Sequence, residues 1–225
     1  MTIQWPVAVL PPQNVSFDIA WRSLSGPAAI SGAQQVVSSD AGIWKATFGN
    51  VIINKRDAVL VFRAIANLLE GRLGRILVPL CRGYQPKFAP DVDAGLRDPV
   101  PHSDDAFFGD GTGYVGQTMD ARLVGSLPPR AVSASIAVAY GGQIEPGQHF
   151  SMGERLYRVR SVVYTSETAA SITFRPPLRE ATSAGTRLEF DDPVCRMKLA
   201  ADDAMDLDLA LRRFGNPTVN FVEDV

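Results

Sequence analysis

Residues 147–190 alternate apolar and polar positions, turn, and alternate again, and Pro176 and Pro177 break the pattern where a strand should end. A period of two sends successive side chains to opposite faces of a strand. Phe150, Met152, Leu156, Tyr157, Val159, Val162, Ile172 and Phe174 are therefore expected to line the inner side of a small sheet. Gly147 and Gly153 suit tight turns. The proline pair ends pairing, because proline has no N–H to give to a ladder. The expected product is a small β-roll or barrel, apolar inside and polar outside.

The rest of the chain supports a mainly β fold class, sandwich or barrel, with one amphipathic helix packed on a sheet and little other α content. Residues 43–53 alternate as a strand. Asn54 is a candidate N-cap with Asp57 three residues on. Val61, Phe62, Ile65, Leu68 and Leu69 share a helical face, and Gly71 is the natural stop. Residues 76–81 then read as a short strand. Three segments are expected. Residues 1–81 form an N-terminal arm, an edge hairpin and a β/helix part. Residues 82–113, rich in Pro, Gly and Asp, form a long irregular loop of the kind that is usually functional or ordered in an assembly. Residues 114–225 form a second β-rich part, a candidate to complete the same sandwich.

Few residues invite chemistry. His102, Asp104, Asp105 and Asp110 are metal-ligand types, but the spaced calcium-loop pattern is absent and turn capping explains the carboxylates equally well. His149 has no acidic partner in any known arrangement. Asp202, Asp203, Asp206 and Asp208 cluster, and Asp206 and Asp208 alternate with Leu207 and Leu209 as a solvated face does. No nucleophile elbow, zinc-protease helix or dinucleotide fingerprint is present. Neither an enzyme nor a cofactor is expected. Cys81 and Cys195, the only two cysteines, have no zinc spacing and are expected to be buried thiols; whether they meet in one disulfide is open. The net charge of -2 argues against general nucleic-acid binding. No signal peptide or membrane span is read from the apolar stretches, so a soluble protein made in the cytoplasm is expected.

All three tryptophans, Trp5, Trp21 and Trp44, fall within the first 44 residues. An apolar arm carrying such side chains folds back on its own core or docks on a neighbouring subunit, and both remain open.

The stretches "HFSMGERLYRVRSV", "ITFRPPLREATSAGT" and "PVCRMKLA" resemble a segment that recurs in tail proteins of long-tailed bacteriophages. The extended arm, the "WKATF" strand, one helix and one strand are similar to the tail-tube-like domain of distal tail proteins. The resemblance covers most of the chain, best over residues 140–200, and its motifs are structural. It implies a virion protein: a ring, expected to be a homo-hexamer, at the distal end of the tail. Such a ring connects tail tube protein to hub and baseplate proteins and lines the channel for DNA ejection, without membrane insertion. Trp5, Trp21, Tyr84, Phe88, Phe107, Phe108 and Tyr114 become candidate subunit-interface residues. Asp202, Asp203, Asp206 and Asp208 become candidate lumen-facing acids. Some distal tail proteins carry a large C-terminal carbohydrate-binding domain that is lacking here, which weakens the case for direct receptor binding. Two alternatives stand beside this reading: another tail component (tube, hub or head–tail connector), or a carbohydrate-binding β-sandwich with Trp5, Trp21 or Tyr114 stacking on sugar.

Overall fold

The computed structural model describes residues 2–28, 30–32, 34–80, 84–86, 99–100, 106, 108–109, 114–115, 119–211 and 213–225, with backbone alone at 39–41, 99–100 and 114–115. In chain order the first elements are β1 (Ile3–Gln4), β2 (Pro12–Ala28), β3 (Gln34–Val51), α1 (Arg56–Leu69) and β4 (Ile76–Pro79). Next come β5 (Pro99–Val100), β6 (Tyr114–Val115), β7 (Asp120–Leu123), β8 (Ser133–Tyr140), β9 (His149–Met152), β10 (Arg155–Ser166) and β11 (Ala169–Arg175). The last are β12 (Arg187–Leu188), β13 (Val194–Leu199) and β14 (Val219–Glu223). The protein is mainly β, with a single helix among the described residues, as the alternation predicts.

The chain divides into two compact units, residues 1–81 with 194–225, and residues 82–193. The expected second β-rich part, 114–225, is therefore corrected at its C-terminal end. In the first unit the sheet order is β1-β4-β13-β14-β3-β2. β13 and β14 lie between β4 and β3, so the N-terminal strands form one sheet only when these late strands join them. Cys195 faces Val78 across the β13–β4 ladder, and Phe221 faces Ala46 across β14–β3. Glu223, buried at the end of β14, accepts a hydrogen bond at Oε2 from the Trp44 backbone N–H at 3.0 Å. Cys195 is a buried cysteine outside any disulfide, and Cys81 lies outside the described residues.

α1 buries Ala58, Phe62, Ile65 and Leu69. These recur at helical spacing, one stripe along the axis. Two expectations are corrected here. Leu68 is exposed, because its position falls beside the stripe that Ala58 begins. The N-cap is Lys55, with no side-chain cap, rather than Asn54. The stop is as expected: Glu70 and then Gly71 take left-handed φ of 44° and 66°.

In the second unit the order is β12-β7-β8-β11-β10-β9. Its two edges meet. Ser151 of β9 and Glu189, just past β12, exchange backbone hydrogen bonds of 2.9 and 2.8 Å. The sheet is thus a nearly closed six-stranded barrel. Phe150, Tyr157, Phe174 and Phe190 fill it with ring centroids 5.3–5.7 Å apart. Met152, Val159 and Ile172 join that core, Val162 packs at its margin, and Leu156 is buried outside it. β11 ends at Arg175, directly before the proline pair.

Candidate functional site

β2 and β3 pair along almost their whole length, but only the first half of the ribbon belongs to the core. Phe17 and Ile19 are the last buried positions on β2. Between Ala20 and Arg22 the register shifts, so that Trp21 faces three residues, 40–42. Such a bulge bends and twists a ribbon. Gly42 sits in it because a Cβ there would come 2.5 Å from Ile19 Cγ2 and 3.3 Å from the Trp21 ring.

Beyond the bulge every described side chain from Trp21 to Ser38 is exposed, Gly26 alone being half-buried. From Trp21 to Ala28 this ribbon reaches about 25 Å at the usual rise per residue. It is not a polar loop. Trp21 is 56% exposed and Leu24 80%, and Ile30, Val36 and Val37 are as open. Leu24 pairs with Val37, and Ser25 with Val36. Residues directly opposite in a ladder share a face and neighbours along a strand do not, so both faces of the ribbon carry apolar side chains. β2 is also an edge of the sheet, with unpaired backbone groups along its outer side.

Of the residues singled out from sequence, Trp21 belongs to this surface. Trp5 does not. It is 1% exposed, its Nε1–H donates to the Leu10 carbonyl at 3.0 Å, and it packs edge-on against Phe48, Phe62 and Phe221. The N-terminal arm is folded on its own core, so Trp5 neither reaches a neighbour nor stacks on sugar. Tyr84 and Phe108, in the second unit, are exposed. Phe88 and Phe107 lie outside the described residues, as do His102, Asp104, Asp105 and Asp110; Tyr114 is described only by its backbone, in β6. Among the described residues no group of three or more His, Cys, Asp or Glu is placed to hold a metal ion.

The acidic segment has one engaged member. Asp202 Oδ1 accepts from the Arg72 backbone N–H at 3.2 Å and from Arg72 Nε at 3.1 Å, which ties residues 200–205 to the loop after α1. Arg72 holds the Asp202 carboxyl below its ordinary value of 3.8, chiefly through the side-chain hydrogen bond. A carboxylate whose folded value is depressed stabilises the fold above its unfolded value, and that contribution is lost as the pH falls through the folded one. Asp202→Asn is expected to lower the urea midpoint slightly at neutral pH, as an exposed pair should. The gap to the parent should close below 3.8. A gap unchanged in acid would assign the effect to loop geometry rather than charge. Asp203, Asp206 and Asp208 are exposed.

His149 is half-buried, and its Nε2 accepts from Arg158 Nε at 2.9 Å. Beside it Gln85 clamps the β9 backbone, accepting from His149 N–H at 3.3 Å and donating to His149 C=O at 2.7 Å. No motif announced this clamp. The ribbon's exposure has one signal in the sequence: the adjacent pair Val36-Val37 places one apolar side chain on each face of a hairpin that has core on neither side.

No protein-family model matches the chain, and no curated protein matches it.

Proposed function

We propose that the protein is a structural subunit of a homo-oligomeric ring at the distal end of a long-tailed phage tail. In this reading it connects the tail tube to the hub and baseplate, forms part of the wall of the DNA ejection channel, and acts by assembly rather than catalysis. It is made in the host cytoplasm and resides in the virion tail. The tail identity rests on the resemblance of the barrel motifs and of the arm, strand and helix order. One structural observation supports the assembly part: the β2–β3 ribbon beyond Trp21, apolar on both faces and carried on a sheet edge.

A two-stranded ribbon with no core on either face gains little by itself. Its exposed leucine, isoleucine and valines gain about 25 cal/mol for each Å² removed from water. Contiguous exposed apolar surface of this kind marks interaction sites. When the docking surface differs from the ribbon, the contact is head-to-tail, and repeated contacts of that type close into rings.

The test is the mass in solution of the full chain beside a Leu24→Ser, Val36→Ser, Val37→Ser variant. All three side chains are exposed, so the change leaves the first unit's core intact. A ring-sized parent and a monomeric variant are expected by light scattering. A monomeric parent would overturn the ring, and a ring-sized variant would remove the ribbon from the interface.

A further inference from the structure

We propose that the hollow between the first half of α1 and the turn at 210–214 binds the backbone of a single-stranded nucleic acid. This goes beyond the assembly reading and does not depend on it. The hollow lies wholly in the first unit and away from the β2–β3 ribbon. It holds about 510 Å³, and its lining includes Lys55, Arg56, Leu60, Arg63, Arg213 and Phe214.

Two segments far apart in the chain make it. Arg56, Leu60 and Arg63 recur at helical spacing and share one face of α1, opposite the buried stripe of Ala58, Phe62, Ile65 and Leu69. Across from them the turn is closed by Ala210 and Phe214, which exchange backbone hydrogen bonds of 2.7 and 3.0 Å. Ile53 and Gly215, just outside the two segments, exchange two more, of 3.0 and 2.9 Å. The backbone that carries Arg213 and Phe214 is thereby fastened beside the one that carries Lys55 and Arg56. Preorganisation of this kind removes an ordering cost from binding.

The charge selects an anion. Four cations converge on the hollow: Lys55, Arg56, Arg63 and Arg213. Arg56 has the Asp57 carboxylate at 3.9 Å, with both side chains 85% exposed, a pair of little strength. Lys55, Arg63 and Arg213 make no ion pair among the described residues. Like charges gathered in this way repel, and an anion among them relieves the repulsion. Three of the four are arginines, whose planar fork matches phosphate oxygens. The net charge of -2 does not oppose this, because charges more than about 8 Å away are largely screened at physiological ionic strength.

Layout and exposure decide which phosphate ligand fits. From Lys55 to Arg63 the backbone runs about 12 Å at the helical rise, so the cations form a row that suits successive phosphates. Leu60 and Phe214 are 47% and 48% exposed, which makes the hollow an open trough. Sites for free small ligands instead enclose most of the ligand's surface. A single strand needs one face only: cations along its phosphates and an aromatic ring for an unpaired base. Phe214 supplies that ring. A duplex, whose bases already stack on one another, gains nothing from it.

The test follows the fluorescence anisotropy of a labelled oligothymidylate of about a dozen nucleotides, mixed with the full chain at several salt concentrations. A duplex of the same length, thymidine triphosphate and polyglutamate serve as unlabelled competitors. Saturable binding of the strand is expected, tighter than that of any competitor and weaker as salt rises. Arg63→Gln and Arg213→Gln should each weaken it and lower the slope of log affinity against log salt by about 0.7, the value for one phosphate contact on a single strand. Phe214→Ala should weaken it about tenfold and leave that slope unchanged. All three side chains are exposed, and far-UV circular dichroism confirms that the variants fold. None lies on the β2–β3 ribbon, so a lost affinity with unchanged mass separates this site from the assembly surface. No binding of the strand, equal binding of the duplex, the triphosphate or polyglutamate, or a salt slope unmoved by both arginine substitutions would each overturn the proposal.

Discussion

Phe150→Ala is expected to destabilise the second unit by about 3–5 kcal/mol, the range for removing a buried phenylalanine. Phe150 is fully buried and touches three rings: Tyr157 at 5.6 Å, Phe174 at 5.7 Å and Phe190 at 5.4 Å. Its position makes the loss larger than volume alone suggests. Phe150 precedes Ser151 and Phe190 follows Glu189, the pair whose backbone bonds join the barrel's edges. The Phe150–Phe190 contact is thus a side-chain part of that seam, and alanine removes it. Composition supplies a clean readout. All five tyrosines lie in residues 82–193, and all three tryptophans lie in the first unit. Near-ultraviolet tyrosine signals therefore follow the barrel, and tryptophan emission follows the other unit. The expected result is a lower urea midpoint in the tyrosine signal. Val163→Ala, an exposed position on β10, should change stability by no more than about 0.5 kcal/mol. Equal midpoints for Phe150→Ala and Val163→Ala would contradict the barrel packing.

The barrel core was legible because a half-buried strand writes its inner face into every second residue. Phe150, Val159, Ile172 and Phe174 obey that period and are buried. Leu156 and Tyr157 are adjacent and both buried, and no alternation of period two announces that. The composition of the first unit was not legible. "CRMKLA" and "TVNFVE" each show a strand, but nothing local shows that β13 pairs with β4, more than a hundred residues earlier. Ladder bonds are made by the backbone, which is the same in every strand, so partner choice is settled by the whole core.

The candidate sites divide the same way. Trp21 and Trp5 look alike in sequence, as aromatic residues in an apolar N-terminal stretch. What separates them is three-dimensional: Trp5 has Phe48, Phe62 and Phe221 around it, and Trp21 lies at the bulge where β2 leaves the core.

Trp5→Ala is expected to destabilise the first unit by about 3–5 kcal/mol, a large part of the 5–15 kcal/mol that holds a typical domain. The indole is fully buried among three phenylalanines drawn from β3, α1 and β14, so one side chain joins elements from both ends of the chain. Its loss opens a cavity at that junction and leaves the Leu10 carbonyl without its indole donor. Trp5→Phe separates the two effects. It retains aromatic packing and removes the Nε1–H, so about 1–3 kcal/mol should be lost, the penalty for a buried polar group left unpaired. Trp44, fully buried on β3, reports unfolding in both variants by the red shift of its emission. The same measurement decides what the arm is for. If Trp5 completes the core, both variants lower the denaturation midpoint in the order alanine, then phenylalanine, and removing residues 1–12 unfolds the unit. If Trp5→Ala instead keeps the parent midpoint and changes only the mass in solution, the arm is an interface after all, and the ribbon loses its place as the surface on which copies meet.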